Sequence, residues 1–253
     1  MTNAGKRKTT IDAAEVARFA AMADEWWNPR GKMRPLHKFN PVRLAFIRDS
    51  ACAHYGSDPK QLDCLSGLSI LDVGCGGGIL AEPLARLGAK VTGIDPAEEN
   101  IAAARIHAEK IGLKIDYLSE TIEAVAETGK RFDVVIASEV VEHVADLPLF
   151  VHHCGECVKP GGLMVVTTIN RTLKSFALAI VGAEYILRWL PVGTHRWDKL
   201  VTPEELEAAL VAAGLEIMDE GGIVYSPLAD QWQRHNDMDV NYMTLAHKRI
   251  VLA

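Results

Sequence analysis

Between residues 69 and 168, short apolar runs alternate with stretches in which apolar residues recur every three or four positions. The runs at 69–73, 90–95, 114–118, 132–137 and 163–168 are rich in β-branched residues and read as strands buried on both faces. The stretches at 79–87, 98–111 and 147–158 read as helices. Regular alternation of the two predicts an α/β domain with a doubly wound, mostly parallel sheet. Downstream, Thr202-Pro203 supplies a cap and an N1 proline for a helix running to Gly214. Residues 215–219 and 242–247 are late strands, which brings the expected sheet to seven strands with one antiparallel.

Ahead of the first strand, residues 12–27 carry Val16, Phe19, Ala20 and Ala23 on one helical stripe, with Asp12 as cap. Trp26 and Trp27 follow, then the turn Asn28-Pro29-Arg30-Gly31 and a basic, proline-broken piece, 34–41. Asn40-Pro41 reads as a fresh helix start, and that helix ends near Gly56. This aromatic-rich arm is either a lid over a site or a pair of helices packed on the sheet edge. The connection at 169–201 is too long for a plain link and reads as a helical insert.

Composition adds boundaries. At 253 residues, 49% hydrophobic and 24% charged, the chain reads as one soluble domain over 11–253 behind a disordered basic tail at 1–10. A net charge of −6 argues against a nucleic-acid partner. Five scattered cysteines and no secretory leader point to reduced thiols in the cytoplasm. Cys154-Gly-Glu-Cys157, preceded by His152-His153, falls inside a helical stretch with no second pair at ligand spacing, and reads as helix rather than zinc site.

The candidate chemistry gathers at Ser69-Ile-Leu-Asp-Val-Gly-Cys-Gly-Gly-Gly78, a strand breaking into glycines and resuming as a helix. A dinucleotide fold wants a third glycine where Ile79 stands. What is present is Asp72-x-Gly74-x-Gly76-x-Gly78, with Asp95 closing the next strand. Asp72 can accept from an ammonium, and Asp95 can accept from both hydroxyls of a ribose. Together with Phe132-Asp133-Val-Val, Ser138-Glu-Val-Val-Glu-His-Val144 and Lys159-Pro-Gly-Gly162, this resembles the class I S-adenosylmethionine-dependent methyltransferases, a Rossmann-like fold. The resemblance implies S-adenosylmethionine as cofactor, held by Asp72, Gly74, Gly76, Asp95, Ser138 and Glu120 or Thr121.

The flanks are more particular. Trp26-Trp27, the 35–44 segment Pro-Leu-His-Lys-Phe-Asn-Pro-Val-Arg-Leu, Val181-Gly-Ala-Glu-Tyr-Ile-Leu-Arg188, Gly193-Thr-His195 and Asp239-Val-Asn-Tyr-Met243 resemble the ubiquinone-biosynthesis O-methyltransferases. That family methylates a ring hydroxyl of a polyprenyl dihydroxybenzene and of demethylubiquinol, and the resemblance puts Arg43 at the cofactor. A phenol has a pKa of about 10, so either a base or a cation must help ionise it. Glu139, Glu142 and His143 sit at i, i+3 and i+4, on one face if the segment is helical. Two carboxylates and an imidazole suit a magnesium-type ion open to both catechol oxygens, a site the resemblance supports. Without a metal, His143 is the base.

Residues 175–190 are strongly apolar but shorter than the roughly 20 needed to span a bilayer. Flanked by Arg171, Lys174, Arg188, Arg196 and Lys199, they suit a helix lying in an anionic membrane surface, or one capping the site or a dimer interface. The expectation is a cytoplasmic O-methyltransferase of polyprenyl catechols, peripherally membrane-associated, with room for a ubiquinone-synthesis complex. The alternatives are another catechol or sterol methyltransferase and a dinucleotide-dependent oxidoreductase.

Overall fold

A computed structural model describes residues 9–177 and 196–250. Residues 1–8 of the basic tail and most of the apolar insert, with Arg188 and His195, lie outside the described residues. Thr10, expected in a disordered tail, is buried and donates to Glu123 from its N–H and its hydroxyl. In chain order the elements are α1 (Ala13–Ala20), α2 (Arg34–Tyr55), β1 (Ser69–Val73), α3 (Ala81–Arg86), β2 (Lys90–Ile94), α4 (Glu98–Lys110), β3 (Asp116–Leu118), α5 (Ile122–Glu127), β4 (Phe132–Ser138), α6 (Leu147–Glu156), β5 (Val158–Ile169), α7 (Leu173–Ser175), α8 (Pro203–Ala212), β6 (Leu215–Ser226), β7 (Gln231–His235) and β8 (Asn241–Lys248).

The strands form a single sheet in the order β3-β2-β1-β4-β5-β8-β6-β7. β1 to β5 are parallel, while β8 runs antiparallel to both β5 and β6. An eighth strand, β7, pairs antiparallel with β6, because β6 runs well past the expected 215–219 and turns back as a hairpin. Strand residues divide between the faces with period two. Ile70, Val134, Ile136, Leu163 and Val165 pack against α2, α3 and α4 through Ile47, Leu84 and Ile101. Leu71, Val135, Ala137, Met164 and Val166 pack against α5, α6 and α8 through Val125, Val151 and Leu206. Both faces are covered, which is why these strands read as unbroken apolar runs.

One expectation changes in the arm. Helix α2 does not begin at Asn40-Pro41; it starts at Arg34 and passes through Pro41. An interior proline costs a hydrogen bond and about 3 kcal/mol. Against that, Phe39, Arg43, Phe46 and Ile47 are buried at i, i+4, i+7 and i+8, so the burial of one continuous face outweighs the local break. Downstream, β5 starts at Val158 and takes in Lys159-Pro-Gly-Gly162, with a register shift opposite Phe132–Val134. Cys154 and Cys157 are buried free thiols in and after α6, as the helical reading of that segment requires. Among the described residues no helix is long and apolar enough to cross a membrane.

Candidate active site

Strand order reverses between β1 and β4, and ligands in such sheets bind beyond the carboxyl ends of the strands at that point. A cavity of about 640 Å³ lies there. Its floor is the glycine turn and the ends of β1, β2 and β4. Its cover is the N-terminal arm, since Val16, Phe19, Met22, Trp26, Leu36 and Phe39 all line it. The arm is therefore part of the site.

At one end stand Asp72 and Asp95. Asp72 is 2% exposed and its Oδ2 has no hydrogen-bond partner. Burial pushes its carboxyl up to about 7, with Arg43 pulling the other way and Asp95 adding to the rise. A buried carboxylate oxygen left open at a cavity wall suits a cationic ligand group such as an ammonium. Asp95 follows β2. Its Oδ2 accepts from the Gly76 N–H at 3.1 Å, and its Oδ1 from the Ala97 N–H at 2.9 Å and the Asn100 amide at 3.1 Å. Burial raises its pKa against those bonds. The turn needs glycine at Gly74 and Gly76, whose φ angles of 69° and 53° are left-handed. Glu120 and Thr121 line the same end, and the Thr121 hydroxyl also caps α5 by accepting from the Ala124 N–H.

Farther along, Arg43 from α2 reaches under the cavity. Its Nη1 donates to Ser138 Oγ at 2.9 Å and its Nη2 to Asn40 Oδ1 at 3.1 Å. Burial disfavours its charge, while Glu139, Asp72 and Glu142 favour it. Two neighbouring threonines of β5 hold the carboxylates: Thr167 Oγ1 donates to Glu139 at 2.8 Å and Thr168 Oγ1 to Glu142 at 2.8 Å. Glu142 is 3% exposed with Oε1 unpartnered, and burial beside Glu139 pushes it up to about 8. His143 Nδ1 lies 3.0 Å from Glu15 Oε2 on α1, and Phe19 meets the imidazole edge-on.

The expected three-point convergence of Glu139, Glu142 and His143 does not form. Among the described residues their ligand atoms do not come together at single-ion distance. The reason is local: Glu139 has a left-handed φ of 57°, and helical winding starts only at Val141, in a 3-10 turn. The i, i+3, i+4 stacking of a helix therefore does not apply, and His143 turns to Glu15. The carboxylate pair alone fits a hard cation, with an open buried oxygen and like charges that a cation would relieve.

Several participants carried no readable signal. Glu15, Thr167, Thr168 and Asn100 are ordinary residues in the sequence, brought in by packing between distant segments. Trp26 stood out only as half of a tryptophan pair.

The fold and this constellation, an acid near the end of the first strand, a glycine turn after it and a second acid closing the next strand, define an S-adenosylmethionine-dependent methyltransferase. A methyltransferase-domain family model matches residues 19–220. Similar solved structures include magnesium protoporphyrin IX methyltransferase from Synechocystis PCC 6803 with bound SAM, at 15% identity and a TM-score of 0.62, covering 95% of this chain and 100% of that one. The plantazolicin methyltransferase BpumL in complex with a triazolic desmethylPZN analog and SAH matches at 16% identity and a TM-score of 0.64, covering 93% of this chain and 98% of that one. The curated relatives go further. The ubiquinone biosynthesis O-methyltransferase of Chelativorans sp. (strain BNC1) is 62% identical over 242 residues, 96% of each chain. That of Mesorhizobium japonicum is 60% identical over 96% of this chain and 97% of its own. The chain belongs to the ubiquinone biosynthesis O-methyltransferase family.

Proposed function

We propose that this protein transfers a methyl group from S-adenosylmethionine to a ring hydroxyl of a polyprenyl catechol and of demethylubiquinol in ubiquinone biosynthesis. The observation that carries the reading is one continuous cavity with acids for a cofactor at one end and a base and carboxylates at the other. Beyond Arg43 its wall is apolar, formed by Leu36, Phe39, Ile223, Tyr225 and Trp232, which suits a prenyl tail.

S-adenosylmethionine supplies a methyl group on a sulfonium, open to in-line displacement. Asp72 accepts from the ammonium of its methionine part, and Asp95 accepts from the ribose hydroxyls. Gly74 and Gly76 keep the backbone close, Glu120 and Thr121 border the adenosine end, and Arg43 with Ser138 fixes the strand-four edge. The covered cavity excludes water and aligns the acceptor oxygen with the methyl carbon. His143, whose Nδ1 lies 3.0 Å from Glu15 Oε2 and which lines the cavity, takes the hydroxyl proton as the new O–C bond forms and the S–C bond breaks. Glu139 and Glu142 would hold a magnesium ion, whose charge lowers the hydroxyl pKa.

Leu173 stands exposed at the entry to the apolar insert, beside Lys174, whose ammonium pairs with Asp237 and Asp239. The exposed leucine and the apolar 175–190 sequence support a protein that touches an anionic membrane surface peripherally, where a prenylated substrate and the other enzymes of a ubiquinone-synthesis complex would meet it. Flotation with anionic vesicles tests this, and loss of Leu173 together with the 175–190 segment should reduce it.

The deciding experiment is transfer of labelled methyl to a short-chain polyprenyl catechol, with Mg²⁺ and with excess chelator. The expected result is O-methylated product, stimulated by Mg²⁺. Full turnover in chelator removes the ion and leaves His143; no transfer to any catechol removes the reading.

A further inference from the structure

Glycines in such a turn are usually explained by the ligand. Here all four meet protein side chains: Gly74 faces Val140, Gly78 faces Tyr117, and Gly76 and Gly77 share one neighbour, Trp26. A Cβ built on Gly76 would run into the outer ring of Trp26, and one on Gly77 would overlap Trp26 Cβ and Cγ, the anchored root of the side chain. Gly77 has no positive φ, and the atoms nearest an alanine methyl there all belong to Trp26. The indole does not merely cover the turn. Its Nε1 donates to Asn100 Oδ1 at 2.8 Å, and the Asn100 amide donates to Asp95 Oδ1 at 3.1 Å. Trp26 is 7% exposed, Asn100 is 1% exposed, and both border the cavity. The neighbouring Trp27 ties down the same corner, donating to the Gly77 carbonyl at 2.9 Å and stacking on His107 with centroids 3.5 Å apart.

We propose that Trp26 is a cofactor-positioning residue, seated on Gly76-Gly77 and acting through Asn100 on the carboxylate of Asp95. Docking of the arm and orientation of the ribose-binding acid are then one event. Asn100 has one amide oxygen directed at the arm and its amide nitrogen at Asp95, so an undocked Trp26 frees the side chain that fixes Oδ1. The cofactor end is complete only when the arm is down, and substitutions in the arm should act on cofactor affinity before they act on the acceptor.

The inference rests on Asp95 serving the cofactor, so the test separates the two. S-adenosylhomocysteine binding is measured by calorimetry on the full chain for D95A, W26F, W26A, W26G, G77A and the double variant G77A/W26G, with KM for both substrates. W26F keeps an aromatic root over Gly77 but loses the N–H and the outer ring over Gly76, so its dissociation constant should rise at least fivefold to tenfold, about the loss of the hydrogen bond alone, with acceptor KM unchanged. G77A should weaken binding as W26G does, and the double variant, which leaves no Cβ at position 26 for the added methyl to strike, should be no worse than either single one, since both remove one contact. Additive losses in the double variant, or wild-type affinity in W26F and W26A, would overturn the proposal. Equal increases in both KM values would also overturn it, as general damage. Wild-type affinity in D95A would instead overturn the ribose assignment beneath it.

Discussion

At the cofactor end of the cavity the ligand-facing groups come from consecutive strand ends: Asp72 in β1, the glycine turn after it, Asp95 after β2, Glu120 and Thr121 after β3. At the acceptor end they come from everywhere else. Glu15 is on α1, Arg43 on α2 and Trp232 on a hairpin closing the far edge of the sheet, while the fully buried Thr167 and Thr168 of β5 hold Glu139 and Glu142 from behind. The first end is fixed by backbone geometry in a short segment, so its chemistry is tied to the fold. The second is assembled by side chains meeting across the molecule, and Arg43, buried among Asp72, Glu139 and Glu142, is the charge they share. Chemistry common to a superfamily can live at the first end and choice of acceptor at the second.

The heaviest blow to that comparison falls on Asp72. Replacing it with asparagine should raise the dissociation constant for S-adenosylhomocysteine about a hundredfold or more, because removing one partner of a buried charge pair costs about 3–5 kcal/mol. The pH dependence has a definite sign. The carboxyl stands at about 7 against an ordinary 3.8. Within that interval the unfolded chain has released a proton that the native one retains, so this group's contribution to stability falls as pH rises from about 4 to about 7. Ligand affinity runs the other way, strengthening through pH 7 as the carboxylate forms. Asp72→Asn should therefore bind poorly yet lose less stability between pH 5 and 8 than the parent, in melting curves across that range. Unchanged binding with unchanged slope would break the assignment.

What could be read in advance follows the same division. The strand–glycine–helix signature, Asp72 and Asp95 are local patterns with fixed spacing, and burial on both faces made β1 to β5 visible as apolar runs. The hairpin was not legible: β7 is Gln231-Trp-Gln-Arg-His235, a mostly exposed edge strand without an apolar alternation to reveal it. The run through Pro41 was hidden because tertiary burial of Phe39 and Phe46 decides it, and local rules argue for a break. The geometry around Glu139 was hidden for a backbone reason. A left-handed glutamate is uncommon, and no spacing rule anticipates one between β4 and the 3-10 turn.

A smaller effect should come from the apolar wall. Trp232 meets Phe39 edge-on with centroids 5.1 Å apart, and Lys38 bonds Asp230 at the hairpin turn at 2.6 Å. Trp232→Ala should cut kcat/KM for a prenylated catechol roughly tenfold, the loss of about 1.5 kcal/mol of apolar contact, and leave an unprenylated catechol little changed. Equal losses for the two acceptors would mean the wall supports the fold without reading the tail.

The slightest lesion proposed is the most discriminating. Thr168→Val keeps the shape of a fully buried side chain and deletes the hydroxyl that donates to Glu142 Oε2 at 2.8 Å. A net hydrogen bond is worth about 1 kcal/mol, so kcat should fall about fivefold to tenfold while S-adenosylhomocysteine affinity stays at the wild-type value. Thr168→Ser, which keeps the donor, should recover most of the rate. If serine fails where valine fails, the methyl group of Thr168 and not its hydroxyl is what matters, and Glu142 is held by packing. If affinity for S-adenosylhomocysteine falls in step with kcat, the two ends of the cavity are not separable. Arg43, whose charge the carboxylates of both ends favour, would then be the connection to pursue.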